Sequence, residues 1–190
     1  MFLKMQRIRD VDTKLNKLVR RGFVQGMTHF SVGEEAASVG AIQGLTDQDI
    51  IFSNHRGHGQ TIAKGIDIPA MFAELAGKAT GSSKGRGGSM HLANLEKGNY
   101  GTNGIVGGGY ALAVGAALTQ QYDNTGNIVV AFSGDSATNE GSFHESVNLA
   151  AVWNLPVIFF IINNRYGIST DINYSTKISH LYLRADAYGI

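Results

Sequence analysis

Apolar residues in the first segment recur near helical spacing: Met5, Ile8, Val11, Leu15, Leu18 and Val19 lie on one stripe, among the charged positions Lys4, Arg7, Arg9 and Asp10. That pattern predicts an amphipathic helix over 3–24, ending about Gly22. The alanine-rich stretch 34–42 predicts a second helix, with Ser31 or Gly33 near its cap. Residues 49–52 form a short apolar stretch that gives way to a polar turn, Ser53-Asn54-His55-Arg56-Gly57-His58-Gly59. A third helix is expected over 69–76, with proline at a tolerated first-turn position. Residues 77–103 read mostly as loop, and 111–121 as a helix of small residues. Its Gly115, Ala116 and Ala117 would let another backbone approach.

The clearest unit follows the turn Asp123-Asn124-Thr125-Gly126. Residues 128–132 are an apolar run of buried-strand type, 140–153 a helix with Phe143, Val147, Ala150 and Ala151 on one face, and 157–162 a second buried-type strand. Strand, helix, strand at this length means a parallel βαβ unit with a right-handed crossover. The expected fold class is therefore α/β, a parallel sheet flanked by helices. No repeat and no linker breaks the chain, so 1–190 reads as one domain.

Composition narrows the functions this fold can carry. The chain has 190 residues, 43% hydrophobic and 16% charged, which supports a packed core and excludes disorder. Sixteen basic and 15 acidic side chains leave a formal charge of +1, with no field to draw nucleic acid or an anionic membrane. Cysteine is absent, which excludes a disulfide scaffold, a thiolate metal site and a cysteine nucleophile. The apolar run 155–162 is too short to span a bilayer, and Met1–Asp10 has no signal-peptide core. A soluble cytoplasmic protein is the expectation. Glycine is abundant, 25 residues against two prolines, and nearly half of them fall between Gly77 and Gly115. Backbone in that region is being brought close to something.

Ligands of open parallel sheets bind outside the carboxyl ends of the strands. Gly134-Asp135-Ser136 stands at the end of the first strand of the βαβ unit, and Asn163-Asn164-Arg165-Tyr166-Gly167 at the end of the second. The fold places Asp135 and Asn164 on one edge. A carboxylate and an amide oxygen are hard ligands suited to Mg²⁺, which takes its remaining oxygens from water and phosphate. Asp and Asn also favour turns and helix caps, so either residue alone would say little.

The motif Gly134-Asp135-Ser136, a crossover helix and Asn163-Asn164 resembles the thiamin-diphosphate motif, whose usual form starts Gly-Asp-Gly. The stretches 55–59 (His-Arg-Gly-His-Gly), 84–91 (Lys-Gly-Arg-Gly-Gly-Ser-Met-His), 103–107 (Asn-Gly-Ile-Val-Gly) and 164–167 (Asn-Arg-Tyr-Gly) resemble, in order and spacing, signatures of the α subunits of thiamin-diphosphate-dependent 2-oxo acid dehydrogenases, the E1 α family. The resemblance covers nearly the whole chain and implies the thiamin-diphosphate-binding fold.

Residue by residue, it implies that Asp135, Asn164 and the main-chain carbonyl of Tyr166 ligate Mg²⁺. Backbone amides of Ser136 and Ala137, just after Gly134, would meet the diphosphate at a helix N-terminus. Serine at 136 replaces the usual glycine and would cost stability if the position needs φ > 0. Arg56 matches the arginine that grips the diphosphate, for which a bidentate guanidinium is suited. His55 stands where tyrosine or phenylalanine is common. Gly104 and Val106 match the pair whose backbone meets the aminopyrimidine. His91, and behind it His58, are the acid–base candidates, since imidazole titrates near working pH; His29, His144 and His180 lack such a context.

The family's glutamate for the aminopyrimidine comes from a β subunit, and none of Glu34, Glu35, Glu74, Glu96, Glu140 or Glu145 matches it. The resemblance thus implies an α chain of an α2β2 heterotetramer, binding thiamin diphosphate and Mg²⁺ for oxidative decarboxylation of pyruvate and acyl transfer to a lipoyl-bearing E2 core. Acetoin cleavage by an acetoin dehydrogenase shares the motifs, and a non-catalytic scaffold is a more distant alternative. An Arg-Gly RNA patch at Lys84 and Arg86 lacks aromatic interleaving, and the glycines at 104–109 lack the dinucleotide pattern. Family members continue beyond position 190, so the chain is expected to be truncated, with 185–190 opening a new turn and strand. The polar segment 169–180 matches a loop that orders around the cofactor.

Overall fold

The structure is a computed structural model describing residues 1–190. Helix α1 (Phe2–Arg20) buries Ile8, Val11 and Leu15. It ends earlier than the periodicity indicates. The Gly22 and Phe23 amides fold back onto the Val19 and Leu18 carbonyls, with Gly22 at φ 76, a glycine-terminated reversal. There follow α2 (Glu35–Ile42), β1 (Ile50–Asn54), α3 (His58–Ala63), α4 (Ile68–Leu75), β2 (Asn99–Asn103), α5 (Gly109–Tyr122), β3 (Val129–Gly134), α6 (Gly141–Trp153) and β4 (Val157–Ile162). A two-residue hairpin, β5 (Tyr166–Gly167) and β6 (Thr170–Asp171), leads into the short α7 (Ile172–Ser175). The last stretch, Leu181–Tyr188, is a 3₁₀ helix where a turn and strand were expected.

One four-stranded sheet runs in the order β2-β1-β3-β4, with every neighbouring pair parallel. Its two faces carry different cores. Val130 and Phe132 of β3 join Ile51 and Ile162 under α1–α4, in a cluster with Leu15, Val39, Ile62, Met71 and Leu92. Val129 and Ala131 join Ile50 on the opposite face under α5 and α6, with Tyr110, Ala113, Phe143 and Val147. Alternation along β3 therefore feeds both layers, which is why the strand reads as unbroken apolar sequence. The sheet and its covering helices are the α/β architecture expected from the βαβ signal.

Among the elements that went unseen in the hydrophobic pattern are β2 and α3. β2 lies inside the expected loop 77–103, because Asn-Tyr-Gly-Thr-Asn has no apolar alternation. It is held as an edge strand by buried polar contacts: Asn99 Nδ2 donates to Thr61 Oγ1 at 3.0 Å and the Leu92 amide donates to Thr102 Oγ1 at 2.9 Å. Helix α3 replaces the second half of the expected turn at 53–59 and turns His58 inward. β4, expected to be buried on both faces, is the other edge; Ile158 is half-exposed. No helix is long and apolar enough to cross a membrane.

Candidate functional site

At the carboxyl ends of the strands the chain encloses a cavity of about 690 Å³. Parallel register creates it: Gly134 pairs with Ile162, so the segments after β3 and β4 leave the sheet at the same height. Asp135 begins a 3₁₀ turn (Asp135–Asn139) and faces the cavity with Asn164 and Tyr166 from the loop after β4. From the other strands come Asn54 at the end of β1 with His55 and Arg56 beyond it, and Gly104, Ile105 and Val106 beyond β2. All ten positions expected to bind the cofactor line this one space: His55, Arg56, Gly104, Val106, Gly134, Asp135, Ser136, Ala137, Asn164 and Tyr166.

Asp135 carries the strongest chemical signal. Its residue is 1% exposed, and its Oδ2 is buried without a hydrogen-bond partner. A buried carboxylate oxygen with nothing to accept from is costly, and a cation is the natural complement. Asn164 turns its Oδ1 to the Tyr166 amide at 3.1 Å, leaving that oxygen a second lone pair, and its Nδ2 to Glu34 Oε1 at 3.4 Å. No group of three or more His, Cys, Asp or Glu side chains that could hold a metal is present. A cation here would take its other ligands from amide and carbonyl oxygens, water and a bound anion, which suits Mg²⁺ better than a nitrogen-seeking metal.

Arg56 is half-buried and commits only Nη1 to a protein acceptor, the Phe30 carbonyl at 3.3 Å. The rest of its fork of donors remains for an anion. Ser136 is not among the residues with positive φ, so serine in place of glycine is unstrained. The close fit falls instead on Gly167, where a Cβ would sit 2.3 Å from Ser136 Oγ. The amides of Ser136 and Ala137 belong to the 3₁₀ turn; α6 itself starts only at Gly141, so a full helix N-terminus is not what they present.

Neither of the two histidines expected to act as acid or base, His58 and His91, is among the residues lining the cavity, and His58 is far from accessible. It is fully buried, with Nδ1 2.6 Å from Asp12 Oδ1 and Nε2 2.8 Å from Ser89 Oγ. Both ring nitrogens are spoken for and no substrate reaches them. His91 is exposed beside the glycine loop after β2: a Cβ on Gly104 would lie 3.9 Å from His91 Cε1 and 3.6 Å from Met90 Sδ.

Among the residues of the cavity wall that the hydrophobic pattern missed are His29, Glu34 and Tyr110. His29 packs edge-on against His55, ring centroids 4.8 Å apart. Burial, then the other positive groups nearby, hold both imidazoles below the ordinary histidine pKa, so they are neutral at pH 7. Glu34 is pushed the other way, upward, chiefly by burial, with Asp135 adding to the rise and the Asn164 amide and Arg56 opposing it. Tyr110 closes the floor; burial raises its phenol to about 12, and its hydroxyl donates to Ser133 Oγ at 2.6 Å.

The model of the dehydrogenase E1 component family matches residues 3–190. The chain belongs to that family. Among curated relatives of this E1 chain, the α subunit of acetoin:2,6-dichlorophenolindophenol oxidoreductase from Bacillus subtilis (strain 168) is 52% identical over 190 residues, covering 100% of this chain and 57% of the relative. The protein of the same name from Cupriavidus necator is 50% identical over 189 residues, with the same coverage. The pyruvate dehydrogenase E1 component α subunit of Rhizobium meliloti is 38% identical over 189 residues, covering 100% of this chain and 54% of the relative. The E1 chain thus spans little more than half the length of these relatives.

Proposed function

We propose that this chain is the phosphate- and metal-binding part of an E1 α subunit that takes thiamin diphosphate with Mg²⁺ and works with a β subunit. The observation that carries the reading is the unpartnered Asp135 Oδ2 in a cavity that also gathers Asn164, Tyr166 and Arg56. In this reading Asp135, Asn164 Oδ1 and the Tyr166 carbonyl hold the cation. The free donors of Arg56 and the amides of Ser136 and Ala137 hold the diphosphate, and the backbone at Gly104 and Val106 meets the aminopyrimidine. Neutral His29 and His55 form an uncharged wall beside Arg56, and His91 meets substrate at the rim. Bound thiamin diphosphate supplies the electron sink that lets a bond next to a carbonyl break.

Apolar side chains of Met27, Ile105, Val106 and Ile168 stand exposed around the mouth, a rim that supports closure by a partner protein. The family supports a β subunit as that partner and a lipoyl-bearing E2 as acyl acceptor. The shared motifs support pyruvate as the substrate. Acetoin is a second reading, favoured by identities of 52% and 50% to the acetoin enzymes against 38% to the Rhizobium meliloti pyruvate enzyme.

Calorimetric titration of thiamin diphosphate into the full-length α–β pair, with and without Mg²⁺, tests the site. Asp135→Ala is expected to abolish metal-dependent binding, and wild-type affinity in that variant would remove the assignment. Turnover with pyruvate and acetoin side by side, using an artificial electron acceptor, decides the substrate.

A further inference from the structure

The stretch of glycines from Gly81 to Gly88 is wound around one buried carboxylate. Glu74, in the last turn of α4, is 1% exposed. Its Oε2 accepts from the amides of Ser83 at 2.7 Å and Gly85 at 2.8 Å. Its Oε1 accepts from the amides of Gly87 at 2.7 Å and Gly88 at 3.2 Å. A Cβ at Gly81 would lie 2.5 Å from both the Cα and Oε2 of Glu74, and one at Gly87 would lie 2.6 Å from the His91 carbonyl oxygen. For the glycines from 81 to 88, the close approach that their clustering implies is therefore to Glu74 and to neighbouring backbone, not to a ligand.

A second buried carboxylate fastens the far end of the same loop. Ser89 Oγ meets His58 Nε2, His58 Nδ1 meets Asp12 Oδ1, and the Ser31 amide donates to Asp12 Oδ2 at 2.6 Å. The order Ser, His, Asp is that of a hydrolytic relay, but none of the three lines the cavity and Ser89 is buried. No acyl group can reach its hydroxyl, so the relay is a tie rather than a nucleophile. The two residues after Ser89 are Met90, in the cavity wall, and His91, beside Gly104.

We infer that Glu74 and the Asp12–His58–Ser89 relay are positioning residues for the active site, holding a loop of glycines in the one arrangement that sets Met90 and His91 against the backbone at Gly104. The inference rests on the proposed E1 function and adds to it the groups that preorganise one wall. Neither tie touches substrate or cofactor; each acts through the loop. Glycine-rich backbone has the most conformations to lose, so without its ties the loop would not hold this shape. A misplacement on the order of 1 Å far from the chemistry is enough to cost roughly 100-fold in rate.

The test uses the full-length α–β enzyme and the isosteric variant Glu74→Gln, which swaps one accepting oxygen for an NH₂ facing amide donors. Turnover is expected to fall roughly 10- to 100-fold, while calorimetric affinity for thiamin diphosphate with Mg²⁺ stays within about twofold of wild type. In a double-mutant cycle with His91→Ala, the double variant is expected to be no slower than His91→Ala alone, because the tie works through that residue. Multiplying losses, wild-type turnover in Glu74→Gln, or wild-type turnover in His91→Ala would each overturn the positioning role. Should Glu74→Gln fail to fold, Ser89→Ala in the same cycle carries the same expectations. A wild-type enzyme that binds no thiamin diphosphate at all would instead overturn the proposed function, and this inference with it.

Discussion

A carboxylate with a bare oxygen is an unstable thing to bury, and Asp135 has one. Holding a carboxylate oxygen buried without a donor costs folding free energy that a ligand later returns. Asp135→Asn should therefore raise the thermal midpoint of the ligand-free protein by about 2–4 °C, the shift that ~1 kcal/mol gives a chain of this size. The same change should abolish the stabilisation by Mg²⁺ and thiamin diphosphate; scanning calorimetry with and without both reads the two effects together. Asp135, Asn164 and Arg56 were legible in the sequence because each sits in a short motif at a strand end. His29 and Glu34 were not, since nothing local shows that the chain entering α2 folds over those ends. His58 misled for a related reason: the turn that holds Arg56 becomes α3 two residues later, and the helix aims position 58 at α1.

Among elements, the loop from Gly81 to Gly88 depends most on a single side chain. Burial by itself would lift the Glu74 carboxyl, but the four amides outweigh it and hold the group below its ordinary value of 4.5. A lowered folded-state pKa gives stability that is present above the unfolded pKa and lost as pH falls through the folded one. Wild type should thus be more stable than Glu74→Gln at pH 7, and the gap should close progressively below about pH 4.5. Denaturant midpoints of both proteins across that range measure it, and a gap that persists to pH 2 would count against the charge-based tie.

β2 makes a second case. Asn99 is buried, its Nδ2 on Thr61 and its Oδ1 accepting the Gly101 amide at 3.1 Å, so Asn99→Ala should cost about 1–3 kcal/mol in denaturant unfolding. Such strands escape a hydrophobic reading because side-chain hydrogen bonds, not apolar burial, fix them in place. The segment 169–180, expected to order around the cofactor, forms the β5–β6 hairpin and α7, linked to Asn139 Nδ2 only by contacts of 3.4 Å to the Ser175 carbonyl and Thr176 Oγ1. Tryptic cleavage at Lys177 should slow when Mg²⁺ and thiamin diphosphate are added; an unchanged rate would exclude ordering by cofactor.

At the scale of the molecule, the α/β class was readable because 128–162 carries strand, helix and strand with little else between them. The layering was not, since one apolar strand cannot announce which helices will cover which of its faces. The apolar mouth is likewise a property of several loops together and of none alone. Ile105→Asp at that mouth should leave unfolding free energy within about 0.5 kcal/mol, as for other exposed positions, yet weaken association of the full-length subunits tenfold or more. Sedimentation of the mixed subunits would show it.

The alternation of β3 also ties the cavity end of the molecule to its middle by parity. Val130 and Phe132 face one helical layer, Val129 and Ala131 the other, and Asp135 follows two positions after Ser133. Removing a single residue from this strand would exchange the two layers and rotate the carboxylate to the wrong side, whereas removing a pair would preserve the facing and only shorten the reach. A one-residue deletion within β3 should therefore cost far more stability than a one-residue deletion in the turn 123–127, a difference that denaturant unfolding of the two variants would read.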